Sequence, residues 1–330
     1  MATTFSPQIS RSDVVFPSDV STEILQDVPR QSAVLSLFRR LPNMSRQQHT
    51  VRVLDALPKA EFLNADNYDP EVTSDIGMKP LSKQKWIGKI IHAEPLAVIV
   101  PIPEDVLADT DYDIWGEVRP RIAEAFGAAI DAAVLFGNGA PGVWPSSLTA
   151  QAIAAGNNIA FNPTTGTDFA DIADYIAKPD GLMSLVEEDG YEVTGFASAS
   201  RVRAKLRGLR DDNGQFIFQP SMREGEPNRI FGLPSYFANT DAWDNDTALM
   251  LAGKWSEAVY SIRSDISYKV LTEATLTNAD GDTLNLAQQD AIALRAVMRL
   301  GWEVPNPVNR KNANRDTRFP FSVLQPGEGS

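Results

Sequence analysis

The chain has no cysteine and only two histidines, His49 and His92, among its 330 residues. The first absence excludes disulfide frameworks, thiolate metal sites and cysteine nucleophiles together, and fits a protein made in a reducing cytoplasm. The second leaves too few imidazoles for a usual catalytic zinc site unless carboxylates complete it. Long apolar runs are missing as well. None approaches the ~18–20 residues that span a bilayer, and Asp131 interrupts the longest candidate helix. The opening MATTFSPQISRSD has no basic stretch followed by an apolar one, so it is not read as a signal peptide. Positive charge is scarce, with 30 Lys and Arg against 43 Asp and Glu and a net charge of −13. That balance argues against a protein whose main task is to grip nucleic acid or an anionic membrane. There is no G-x-S-x-G elbow and no Walker loop.

What remains is an ordinary folded composition, 43% hydrophobic and 22% charged. The length allows a sizeable core, as one large domain or two ordinary ones. The first 48 residues carry short apolar segments, Val20, Ile24 and Val28 before Pro29 and then SAVLSLFRRL, with too little apolar surface for a core of their own. They must lie on something else. HTVRVLDAL alternates like a strand with Val51 and Val53 on one face, and KWIGKIIHAEPLAVIVPI reads as one long returning strand. The polar stretch between them makes the pair an extended hairpin with a long tip.

Ile114, Val118, Ile122, Phe126, Ile130 and Val134 recur every fourth residue, which predicts a long helix over 112–136. Alanine and glycine at 123, 125, 127, 128, 129, 132 and 133 allow close approach to a sheet. Pro120 predicts a kink or a fresh start. Further on, a helix is expected around 168–177 and another at SASRVRAKLRGL, with strands at IFGLPSYFA, ALMLAG and AVYSIRSDISYKVL. AIALRAVMRLGWEVP sets propensity against period. Its residues favour helix, yet Ile292, Leu294, Ala296, Met298, Leu300, Trp302 and Val304 fall on alternate positions, and strict alternation over that length reads as a half-buried strand.

Local motifs for chemistry dissolve on inspection. GNGAPG, Gly137 to Gly142, matches a dinucleotide fingerprint in letters, but a helix precedes it where a strand is needed, so it reads as a helix stop and turn. His92-Ala93-Glu94 matches half a zinc-deaminase signature whose other half needs cysteines. NADGDT, residues 278–283, lacks the sixth-position glycine of a calcium loop and reads as a hairpin turn. Arg201, Arg203, Lys205, Arg207 and Arg210 form a basic helix, a phosphate contact by one reading and a solvated, locally paired face by the favoured one. No catalytic, cofactor-binding or metal-ligating residue is assigned, and no cofactor is expected.

The order of elements carries more than any motif. A strand ends at Pro101 and Pro103. Glu104, Val106, Leu107 and Asp109 follow, then the alanine-rich helix, then Gly137, Gly139, Pro141 and Gly142. This set resembles the major capsid proteins of tailed double-stranded DNA bacteriophages, whose fold encapsulins share. The helix-turn-strand run SASRVRAKLRGLRDDNGQFIFQP with IFGLPSYFAN, the segment LMLAGKWSEAVYSIRSDISYKVL and the closing ALRAVMRLGWEVPNP are similar to that family in the same order, over about 280 residues.

The resemblance implies an α+β chain with the tailed-phage major capsid fold. Its parts would be an N-terminal arm at 1–48, an extended loop hairpin at 49–93 that reaches over a neighbouring subunit, a peripheral domain with the long spine helix at 94–179, an axial domain at 180–270, and closing strands of the peripheral domain with the tail at 271–330. It implies a structural protein, not an enzyme. Copies would assemble as hexamers and pentamers into an icosahedral shell around double-stranded DNA, without sequence-specific binding, in the host bacterial cytoplasm. Expected partners are other copies, a portal protein, possible decoration proteins and a separate scaffolding protein, since Met1 lies only a few residues before the arm. No membrane partner and no Lys–Asn crosslinking are expected. The alternatives are an encapsulin-like compartment shell and a carboxylate-dependent hydrolase.

Overall fold

A computed structural model of the chain describes residues 32–60, 82–104, 114–161, 172–206, 229–238, 240–277 and 281–327. The apolar segment with Val20, Ile24 and Val28, the hairpin tip and residues 105–113 lie outside these residues.

The chain enters through a short helix, α1 (Ala33–Leu37), and a two-residue strand, β1 (Arg39–Arg40). The hairpin follows as β2 (Gln48–Ala56) and β3 (Lys85–His92), paired antiparallel from Gln48 opposite His92. The run expected as one returning strand is two. It breaks at Ala93, and β4 (Glu94–Pro103) joins a different sheet. A period-2 pattern continues across such a break, because each strand buries alternate residues against its own neighbour.

The long helix is α2 (Ile114–Asp131), continued by a π-helical turn over Ala132–Phe136. It runs on through Pro120 without the fresh start that was one expectation there; the ring nitrogen cannot donate to the carbonyl four residues earlier. Ile122, Phe126, Ile130 and Val134 are buried, so the fourfold spacing marks the packed face. Gly137, at φ 83°, caps the helix and donates its amide to Ala132 and Ala133. That left-handed conformation suits glycine, and GNGAPG is indeed a stop and turn.

The packed face of α2 lies on a four-stranded sheet ordered β1-β10-β13-β4, with β10 at Val259–Leu271 and β13 at Ala291–Glu303. The alternation in 292–304 is a strand. Leu294, Ala296, Met298, Leu300 and Trp302 point into the α2 core, each of the larger ones contributing about 1.5–3 kcal/mol by burial. Its other face is less open than a half-buried strand implies. Ala291 and Ala293 are buried under the hairpin of β11 (Thr275–Thr277) and β12 (Thr283–Asn285). At Gly301 an added Cβ would lie 2.3 Å from the His92 carbonyl oxygen, so the base of the first hairpin crosses there in backbone contact.

After α3 (Leu148–Ala155), a second sheet of six strands takes the order β5-β14-β9-β6-β8-β7. Its strands are β5 (Asn158–Phe161), β6 (Gly195–Ala199), β7 (Arg229–Ile230), β8 (Leu233–Ala238), β9 (Met250–Gly253) and β14 (Phe321–Pro326). Helices α4 (Ile172–Ala177) and α5 (Leu182–Glu188) pack on it around Phe161, Phe196 and Met250. The helix expected at SASRVRAKLRGL begins as α6 at Ser200, because Ser198 and Ala199 end β6.

Each sheet joins strands from more than one of the spans drawn at 94–179, 180–270 and 271–330. β5 and β14, from the first and third spans, flank one another in the six-stranded sheet, and β10, from the second, lies at the centre of the four-stranded one. Pairing between strands so far apart in sequence leaves no local pattern to read.

Candidate assembly surfaces

The informative regions are those that cannot bury themselves locally. The first is the arm. Ser32 caps α1, accepting the Leu35 amide at 3.2 Å, and its hydroxyl donates to Asp131 Oδ1 at 2.6 Å. The same carboxylate accepts the Ala33 amide at 2.8 Å and the Val34 amide at 3.0 Å. Asp131, only 3% exposed, therefore completes the cap of a helix almost a hundred residues earlier. Burial pushes its carboxyl up to about 6, against the opposing pull of those hydrogen bonds. The residue that interrupts the apolar face of α2 is the arm's anchor.

Beyond α1, Phe38 packs near Trp255 and Trp302 at ring distances of 6.0 and 6.3 Å. Arg39 and Arg40 run parallel to Val259 and Tyr260, and Ser261 Oγ donates to the Pro42 carbonyl at 2.7 Å. The arm is thus fastened along the edge of the four-stranded sheet.

The hairpin is the second region. Its inward face carries Val53 and Ile91, which are buried, and Lys89, whose ammonium reaches Glu303 at 2.9 Å and the Val304 carbonyl at 2.6 Å. Trp144 Nε1 donates to the His92 carbonyl at 3.0 Å. Lys85, hydrogen-bonded to Asp55 at 2.8 Å, holds that carboxyl below the usual range. On the outward face, Trp86 is 58% exposed and stands opposite Leu54, and Ile90 is exposed opposite Thr50. A two-stranded ribbon with apolar residues on its open face is marginal alone in water.

The third region is the segment 304–319 between the two sheets. Asp189 accepts from Asn157 and the Phe319 amide, each at 2.8 Å, and from Asn312 at 2.8 Å. Arg318 is buried, donating to the Asn306 side chain at 3.0 Å and to the Asn312 carbonyl at 2.8 Å. Tyr191 donates to Asn306 at 2.9 Å, and burial pushes its hydroxyl up to about 12. The same segment holds the hairpin through the Val308 amide to the Leu54 carbonyl, 2.9 Å, and Arg310 to the Pro58 carbonyl, 3.1 Å.

The motifs set aside in the sequence fall in structural places. His49 and His92 occupy strand positions of the hairpin, opposite Ile91 and Gln48. Among the described residues no group of three or more His, Cys, Asp or Glu could hold a metal ion. NADGDT joins β11 to β12, with 278–280 outside the described residues. Of the basic helix, Arg203 lies 5.4 Å from the Phe237 ring, while Arg207 and Arg210 fall outside the description. The anchors Asp131, Asp189 and Arg318 were missed as such. Asp131 alone left a trace, as one carboxylate in an alanine-rich apolar stripe.

An anchored arm, a projecting hairpin, a long helix on one sheet and a second sheet joined by a strap define a shell subunit of the tailed-phage capsid type. The chain belongs to the phage capsid family, whose sequence profile matches residues 12–308, and that family is structural and not enzymatic. It is 25% identical to the major capsid protein of Staphylococcus phage 80alpha over 297 residues, which is 89% of this chain and 83% of that one. Among solved structures, a chain from Microbacterium phage Oxtober96 is 35% identical, with a TM-score of 0.73 and coverage of 96% of this chain and 95% of that one. A chain from Mycobacterium phage Cain is 27% identical, with a TM-score of 0.74 and coverage of 91% and 92%. The tailed-phage capsid fold expected from the order of motifs is the fold observed, and the protein is a major capsid protein that builds the shell of a virion.

Proposed function

We propose that copies of this chain associate as hexamers and pentamers, closing an icosahedral shell around packaged double-stranded DNA in the host bacterial cytoplasm. The observation that carries this reading is the hairpin, whose open face presents Trp86 and Ile90 exposed, with nothing among the described residues to cover them. Together with family membership, it supports a heterologous contact, in which one surface meets a different surface on the next copy and rings form when the rotation closes. In this reading α2 and the four-stranded sheet make the peripheral domain, and the six-stranded sheet with α4 and α5 makes the axial domain. DNA is enclosed without tight binding, in keeping with the net charge of −13. A scaffolding protein, a portal and decoration proteins are the further partners proposed, on the family resemblance alone.

Electron microscopy beside size-exclusion chromatography of the purified chain, with and without its scaffold, tests the reading. Closed shells or rings of five and six are expected, and nuclease-protected DNA is expected inside particles from infected cells. A chain that stays monomeric with its scaffold present would overturn it.

A further inference from the structure

The four-stranded sheet has a face turned away from α2, and its two ends are covered differently. The base of the first hairpin lies over Gly301 and Glu303, and the β11–β12 hairpin lies over Ala291 and Ala293. Between these covers the face is open. On β13 it carries Arg295, Val297 and Arg299. Opposite them on β4 stand Ile99, Ala97 and Pro95, and on β10 stand Lys269, Ser267 and Ser264. The result is a trough three strands wide, floored by small and apolar residues and walled at both ends. Ile99 is 42% exposed in it.

Three cations rise from this floor. Lys269 is directly opposite Arg295 in the strand register, and like charges so placed repel. Arg299 lies four residues along the strand, about 14 Å at ~3.4 Å per residue. Among the described residues none of the three has an ion-pair or side-chain hydrogen-bond partner, and the Arg295 Nε is shielded from solvent with no acceptor. One carboxylate, Asp265, sits in the β10 bulge nearby with Arg263 of opposite sign on the other side of Ser264. By contrast, Lys85, Lys89, Arg121 and Lys254 each have a carboxylate within 3.3 Å.

We infer that this trough is a docking surface for a second copy of the chain, which supplies carboxylates to Lys269, Arg295 and Arg299 and covers Ile99. Charge complementarity selects the occupant. A chain with 43 acidic against 30 basic residues carries a surplus of carboxylates, and this cluster is where a carboxylate-bearing surface of another copy is attracted and not repelled. Three cations beside apolar residues make a poor phosphate track, because nucleic-acid binding draws on a broad basic surface. The inference rests on the shell reading above and adds the surface and the chemistry of one contact in it.

Lys269→Glu with Arg299→Glu is the first test, since both side chains are exposed and the substitutions leave the core face of the sheet intact. Arg295→Gln is the second. Wild-type and variant chains are compared by sedimentation and electron microscopy at 50 and 500 mM salt, with thermal unfolding as the control for folding. The charge-reversed variant is expected to unfold at or slightly above the wild-type temperature, since the carboxylate that Lys269→Glu introduces would face Arg295, yet need at least tenfold more protein to assemble. Arg295→Gln should show a smaller rise, and wild-type association should weaken with salt. Variants that assemble at the wild-type concentration would overturn the trough and leave the shell reading standing. A wild-type chain that never associates would overturn both. Binding of a duplex DNA fragment that the charge reversal abolishes, with assembly unchanged, would assign the trough to phosphate instead and overturn the inference.

Discussion

Replacing Asp131 separates two opposing effects that the structure places in one carboxylate. Its oxygens accept three donors from the arm, Ser32 Oγ and the amides of Ala33 and Val34, between 2.6 and 3.0 Å. Asp131→Ala leaves all three buried without a partner, at about 1–3 kcal/mol each. Against this, burial raises the carboxyl from 3.8 to about 6. The difference of roughly 2 units is about 3 kcal/mol of destabilisation carried by the ionised form. The sign follows from linkage. The folded state holds the proton more tightly than the unfolded one, so this contribution to stability is fully present below about pH 4 and is lost as pH rises toward 6. At pH 7 the two effects partly cancel, leaving a net loss of about 3 kcal/mol for Asp131→Ala, or roughly a hundredfold larger equilibrium constant for opening of the arm. Asp131→Asn keeps the acceptor for Ser32 and Val34 but turns a donor toward the Ala33 amide, while removing the ionisation penalty. It should lie within about 2 kcal/mol of wild type at pH 7. Amide hydrogen exchange at Ala33, Val34 and Leu35 in the unassembled subunit, between pH 4 and pH 7, reads this directly once the intrinsic pH dependence of exchange is divided out. Wild-type protection should fall across that range, and Asp131→Asn protection should stay level. Parallel curves for the two proteins would refute the reasoning.

Two further substitutions probe the hairpin base. Gly301→Ala places a methyl 2.3 Å from the His92 carbonyl oxygen and 2.7 Å from its carbon; backbone cannot swing aside, so a loss of about 1–3 kcal/mol is expected in thermal unfolding, whereas Gly142→Ala, with open space around it, should change little. Lys89→Met leaves Glu303 beneath the hairpin without its cation, at a cost of roughly 3 kcal/mol. Double substitution with Glu303→Gln should recover part of that loss, and an additive pair of effects would count against the ion pair.

Much of this subunit can be read locally. The fourfold recurrence from Ile122 to Val134 marks the buried face of α2, and the alternation from Ile292 to Trp302 marks β13, because each pattern is the period of one element packed on one neighbour. Gly137 and Gly139, both at positive φ, announce the helix stop for an equally local reason. The order of these elements was enough to suggest the capsid fold.

The sequence by itself therefore determined the long helix α2, the strands with clear alternation, the helix stop at Gly137 and the absence of a thiolate or histidine-rich site, all of which depend on residues a few positions apart, whereas α3 and β5 lie in a stretch whose small and polar residues read as loop. Only the tertiary structure decided that the run from Lys85 to Pro103 divides at Ala93 between two sheets, that β14 lies between β5 and β9, and that Ser32 meets Asp131 across 99 residues. It also decided that Lys269, Arg295 and Arg299 share one open face, which depends on the β10–β13 register and its bulges. These pairings arise from three-dimensional closure, where the winning register is the one that buries the most apolar surface and satisfies the most polar groups at once, and no window along the chain contains both sides of that comparison.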